Sequence, residues 1–324
     1  MTVGAPDPGA LVERAFDGHK RSIARLISRC EDARPEAGAA RDALFLTLAR
    51  SSRRRHGVTV GITGTPGAGK STLVGGLAPA MVRRASEDHR VAVVAIDPTS
   101  PISGGALLGD RTRIRFALDE PRLFFRSQAS ALALGGIAPT TWPVVRLLTH
   151  LFDTVLIETV GIGQSEVDVR ALADHLVLIT APLAGDHVQF MKAGVMEVPD
   201  RIVLNKCDQQ QAARASWSAL RASVRMLRPG GDAPRLHRVS AQTGAGVDDL
   251  ADALIALPRD PTTLASAALS RRAERLRRRV RDRFGTWGLD RIAAADLEAW
   301  LAADEDDGVW RRILSTVTPD DTAG

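Results

Sequence analysis

Tyrosine is absent from this chain, cysteine occurs twice, and aromatic residues make up only 4% of its 324 residues. So few rings give single-stranded nucleic acid little to stack on. Cys30 and Cys207 lie far apart among polar neighbours. Two thiols cannot frame a zinc finger, and their placement gives a disulfide no special support. A reducing cytosol is the expected setting. No apolar run approaches the ~20 residues of a membrane span. The opening MTVGAPDPGALVERAF has no basic region leading into an apolar core, so no secretory signal is expected. The seven histidines are scattered without metal-ligand spacing. The net charge of +5 suits an acidic partner without demanding one.

What is present is concentrated in one stretch. Gly64-Thr65-Pro66-Gly67-Ala68-Gly69-Lys70-Ser71-Thr72 spells GxxxxGK[ST] between an apolar, strand-like run from Val58 and a helix-like segment from Leu73. That is the context a phosphate-binding loop requires. Its glycines let backbone N–H groups converge on phosphate oxygens, and the following helix N-terminus adds partial positive charge. Lys70 can reach the outer phosphates, and the Ser71 hydroxyl can ligate magnesium.

Around this motif the chain divides into three. Residues 1–56 read as a helical extension, with Ile23, Leu26 and Ile27 on one face and a break at Pro35-Glu36-Ala37-Gly38. Residues 57–262 alternate apolar strands with helices: after Val58 the runs are Val91–Ile96, Thr154–Thr159, Leu176–Thr180, Arg201–Asn205 and Arg235–Ser240. This predicts an α/β fold, a mostly parallel sheet covered on both faces, with ligands bound at the strands' carboxyl ends. Residues 263–324 read as a helical arm. Ser270 to Phe284 holds eight arginines and two acids, and Asp290 to Asp307 holds seven acids and one arginine. Such segments can pair within the chain or across a dimer, which leaves a nucleic-acid role for the arginines disfavoured.

Asn205-Lys206-Cys207-Asp208 closes an apolar strand and matches NKxD. A carboxylate at Asp208 can accept from N1–H and the exocyclic amine of guanine. Adenine would leave that carboxylate facing an acceptor, and unpaired desolvated groups make the discrimination large. Lys206 would lie along the base and Asn205 would tie loops together. Ser240-Ala241-Gln242, after the next strand, resembles a loop whose backbone contacts guanine. Glu158-Thr159-Val160-Gly161 ends another strand, where a magnesium-linked acid and a glycine near the γ-phosphate are expected. Asp97 and Asp110 flank a glycine-rich segment. Ser71, Asp97, Asp110 and Glu158 are thus the candidate magnesium shell, not all of them direct ligands.

GITGTPGAGKSTL, AIDPTSPISGGALLGDRTRI, LIETVGIGQSEVDV, AGDHVQFMKAG and VLNKCD occur in that order. Together they resemble the MeaB/ArgK group of GTPases, chaperones of adenosylcobalamin-dependent acyl-CoA mutases, over roughly residues 10–260. The resemblance implies GTP and GDP as ligands with magnesium, a partner mutase through which adenosylcobalamin is handled, and a homodimer assembled through terminal helices. It places Lys192 on a lysine of a third switch loop, beside Lys70, Asp97, Asp110, Glu158 and Gly161 as the catalytic set. The loop before Gly185 and the arginine-rich arm depart from the family pattern, and both bear on partner identity. Three rivals follow from the motifs: a nickel-enzyme maturation GTPase, which would carry a histidine-rich tract; a small-molecule kinase, which would not need NKxD; and a GTP-dependent scaffold acting through the arginine helix.

Overall fold

The computed structural model describes residues 8–34, 36–97, 120–130, 137–159, 165–182, 199–227 and 233–317. The chain divides into two compact units, Gly57–Pro258 and a second made from Met1–His56 with Arg259–Gly324.

Among the described residues the first unit is built on a seven-stranded parallel sheet with helices between its strands. Its strands are β1 (Val58–Gly64), β2 (Val91–Asp97), β3 (Leu123–Ala129), β4 (Thr154–Glu158), β5 (His175–Thr180), β6 (Arg201–Leu204) and β7 (Arg235–Arg238), in the order β3-β2-β4-β1-β5-β6-β7. The chain leaves β1, builds outward on one side, returns to β4, and then builds on the other side. β1 therefore lies at the point where the order reverses, and ligands bind parallel sheets at that point, beyond the carboxyl ends. The sequence explains the centre: β1, β2 and β4 are buried at every position, as their near-continuous apolar runs demand.

β3 is the strand that the sequence reading missed. LFFRSQA is apolar for three residues and then polar, because it lies at the sheet edge with its second half only partly covered. Gly61, inside β1, marks a close approach by the helix Ser165–Leu172. A Cβ there would meet Val169 Cγ1 at 2.3 Å. The same neighbourhood is locked at Asp174, whose carboxylate accepts from the Thr59 amide at 2.8 Å and its hydroxyl at 2.6 Å.

The second unit is helical. It contains α1 (Pro8–Phe16), α2 (Lys20–Glu31) and α3 (Ala37–Arg50) from the N-terminal segment. The remaining helices of the unit are Pro261–Asp290, Ala294–Ala303 and Asp306–Val317. Ile23, Leu26 and Ile27 are buried as their spacing predicts. One detail corrects the sequence reading. α3 already includes Ala37 and Gly38, so the break ends two residues earlier; Gly38 lies close to Asp307, 3.4 Å from where its Cβ would sit. Leu46 is 44% exposed.

The basic and acidic C-terminal segments pair within the chain. Arg272 Nε donates to Asp306 at 2.7 Å, and Arg275 also holds Asp306. Beneath these pairs Leu276, Val280, Leu297, Leu301, Val309 and Ile313 form an apolar core. The long helix Pro261–Asp290 is opened by Asp260, which accepts from the Thr263 amide, and kinked at Gly285, where φ is +66°. No described helix is long and apolar enough to cross a membrane.

Asp42 gives this unit a pH response. Burial, reinforced by the Asp307 carboxylate, pushes its carboxyl up from 3.8 to about 6, against the opposing pull of Arg311 3.2 Å away. A carboxyl that ionises at higher pH when folded binds more protons folded than unfolded between those values. Its contribution is fully present below pH 3.8 and is lost as pH rises through 6. Asp42→Asn should therefore stabilise the protein at pH 7.5 by roughly 1–2 kcal/mol and change little at pH 4. Thermal unfolding at the two pH values checks this.

Candidate functional site

The phosphate loop leaves β1 at Gly64 and enters helix α4 (Lys70–Arg84). Two glycines are required by geometry. Gly64 has φ +147°, and a Cβ there would lie 2.0 Å from the Ile179 carbonyl oxygen on β5. Gly69, at the start of α4, has φ +87°, and its Cβ would lie 2.5 Å from Asn205 Nδ2. Both positions use the left-handed region that glycine alone enters readily. Thr65 and Ala68 complete the turn, with the Ala68 amide bonded to the Thr65 carbonyl at 3.1 Å. Pro66, Gly67 and Thr72 are exposed.

Lys70 is buried, and its ammonium donates to the Gly64 carbonyl at 2.8 Å and the Thr65 carbonyl at 3.1 Å. The charge is thus held along the loop that would cradle phosphates. Ser71 Oγ donates to Glu158 Oε1 at 2.5 Å, joining the first turn of α4 to the end of β4. Glu158 is 5% exposed. A hydroxyl and a carboxylate meeting at the N-terminus of α4 are hard oxygen donors, and they fit a magnesium ion that keeps most of its waters. Asp97, at the end of β2, is 2% exposed; its Oδ2 accepts a hydrogen bond from Ser127 Oγ on β3, and its carbonyl accepts from the Ser130 amide at 2.7 Å. Asp110, Gly161 and Lys192 lie outside the described residues, as do Gly185 to His187.

The base side forms around Asn205. Its Nδ2 donates to the Ala68 carbonyl at 2.9 Å, and its Oδ1 accepts from the Ala241 amide at 3.0 Å. One buried side chain therefore fixes the phosphate loop against the loop after β7. Lys206 adopts φ +59° and is the positive-φ non-glycine residue among the described residues. This turns the chain so that Asp208 faces Ser240, whose hydroxyl donates to Asp208 Oδ1 at 2.6 Å. Ser240 Oγ also accepts from the Thr243 amide at 3.2 Å. Asp208 and Gln242 are exposed, while Ser240 is buried. Burial pushes the Cys207 thiol up, so it stays protonated and inert beside the base loop.

The structure thus brings Gly64 through Ser71, Asn205 and Ala241 into one connected array, and Asp208 with Ser240 into its outer wall. Asp97 lies two strands from β1 on the β2 side, and its Ser127 partner belongs to the strand that the sequence reading missed. The signal was there: Leu123-Phe124-Phe125 is a β-prone run.

Comparison with known proteins agrees in outline. The family model described as "Methylmalonyl Co-A mutase-associated GTPase MeaB" matches residues 23–294. A putative GTPase of Caulobacter vibrioides is 34% identical over 315 residues, covering 94% of this chain and 95% of that protein. A putative GTPase of Pyrococcus abyssi is 42% identical over 203 residues, 62% of this chain, and the match spans only 60% of its length. Among solved structures, one described as a LAO/AO transport system kinase superposes with TM-score 0.62 at 22% identity, covering 94% of this chain and 96% of that one. At that identity the likeness establishes the P-loop fold.

Asn205→Ala removes both ties at once. Nucleotide affinity, read with a fluorescent GDP analogue, should fall at least about tenfold, since each buried partner left unpaired costs roughly 1–3 kcal/mol.

Proposed function

Because the chain belongs to the methylmalonyl-CoA mutase-associated GTPase family MeaB, we propose that it binds and hydrolyses GTP to gate cofactor loading. The client would be an adenosylcobalamin-dependent acyl-CoA mutase in the cytoplasm. The observation that carries the guanine reading is the Ser240–Asp208 hydrogen bond, 2.6 Å long, in a loop tied to the phosphate loop by Asn205. Ser240 occupies one lone pair of an exposed carboxylate and orients the remainder toward solvent, where the donor edge of guanine can reach it.

The phosphate end follows from the same groups. Backbone amides of the Gly64–Gly69 loop and the first turn of α4 would bind the phosphate oxygens. The Lys70 ammonium would exchange its two carbonyl partners for phosphate oxygens, where it offsets charge that builds up as the bond to the γ-phosphoryl group breaks. Ser71 would hold magnesium directly, with Glu158, Asp97 and Asp110 acting through water. When bound, the ion neutralises charge on the phosphates. Gly161 and Lys192 belong to the same proposed set. We assign residues 57–262 as the GTPase domain and the helical segments 1–56 and 263–324 as the extensions that assemble a homodimer and meet the mutase.

Capture of candidate acyl-CoA mutases should differ between GDP and a non-hydrolysable GTP analogue, and added mutase should accelerate GTP hydrolysis. Rapid hydrolysis by the protein alone, unchanged by any mutase, would overturn the switch reading. Asp208→Asn tests the base. An amide presents one donor and one acceptor, which match the N1–H donor and C2 carbonyl of xanthine and conflict with guanine. GTP affinity should fall by about two orders of magnitude while xanthosine triphosphate binds better than GTP.

A further inference from the structure

Ser127 is absorbed by no motif, yet it sits in a row that leads to the magnesium-facing end of the site. The registers pair Ser127 with Ala95 and Ala95 with Glu158. Paired residues in a parallel sheet point to one face, and so do residues two apart on a strand. Ser127, Ala95 and Glu158 therefore form one line across β3, β2 and β4, and Asp97 lies one step further along β2 on that same face. Strand spacing puts the two ends of the line roughly 10 Å apart. Ala95, buried between them, contributes only a methyl group to the row. The face is the one that α4 covers, because Glu158 on it holds Ser71 in the first turn of that helix.

Within this row Ser127 donates diagonally to Asp97 Oδ2. Asp97 is 2% exposed, whereas Ser127 is half-buried on the edge strand. A carboxylate at the last residue of a strand has two side-chain torsions to fix, and a hydroxyl on the neighbouring strand fixes them without adding charge. The Asp97 backbone is held on the same side, through its carbonyl and the Ser130 amide at 2.7 Å. The edge strand thus grips Asp97 at both side chain and main chain.

We propose that Ser127 is a positioning residue that orients Asp97 toward the magnesium-bound water shell of the nucleotide site. It acts through Asp97 and touches neither nucleotide nor metal. The proposal rests on the GTP-binding reading above. It assigns β3 a role in that site, although β3 carries none of the nucleotide motifs.

The test measures the magnesium dependence of nucleotide release from the full-length protein. With a fluorescent GDP analogue bound, the magnesium concentration that half-maximally slows release should rise about three- to tenfold in Ser127→Ala, the range of one ordinary net hydrogen bond, because Ser127 acts only through Asp97. Release in excess EDTA should be unchanged. Ser127→Thr keeps the hydroxyl and should restore the native midpoint. In an Asp97→Asn background, Ser127→Ala should add nothing further. An unchanged midpoint in Ser127→Ala would overturn the proposal, as would an equal effect in the Asp97→Asn background or a Ser127→Thr variant as impaired as Ser127→Ala. A native protein that binds no guanine nucleotide would instead sink the GTP-binding reading, so the two failures are distinguishable.

Discussion

Two hydrogen-bonding atoms bridge Ala68 and Ala241, and both belong to the Asn205 side chain. The side chain is 1% exposed, so its amide must be satisfied by protein groups. Its Nδ2 takes the Ala68 carbonyl and its Oδ1 takes the Ala241 amide. The phosphate loop and the base loop are otherwise separate excursions from different strands, β1 and β7. Because one rigid amide spans them, the distance between a phosphate seat and a base seat is set by the protein. Gly69 is part of the same constraint: a side chain there would collide with Asn205 before it met anything else.

The residues that oppose this economy are equally informative. Lys70 and Ser71 are satisfied by their own surroundings, through the Gly64 and Thr65 carbonyls and Glu158. A buried ammonium or carboxylate without such partners would be costly. These groups are thus held in place by the protein's own atoms.

The parts readable from sequence were those set by local chemistry. GTPGAGKST needs its glycines for left-handed turns and NKCD carries the acid proposed above for a base edge, so both announce themselves, as do the continuous apolar strands that end in Glu158 and Asp97. β3 did not, because an edge strand is covered on few sides and LFFRSQA carries a polar second half. Without β3, the Ser127–Asp97 bond has no sequence signature: the two residues are brought together by register. The basic and acidic tail segments were legible as complementary, but only packing decides that Arg272 and Arg275 converge on Asp306.

Among the described residues, both borders of the sheet carry positive charge. β7 is four residues long, with Arg235 and Arg238 exposed, and β3 carries Arg126. An unpaired strand edge is a template for another chain, and short length and cationic side chains are the usual safeguards. Two copies meeting edge to edge would oppose like charges at every approach. Among the described residues, a second copy adding its strands at either edge would bring arginine against arginine.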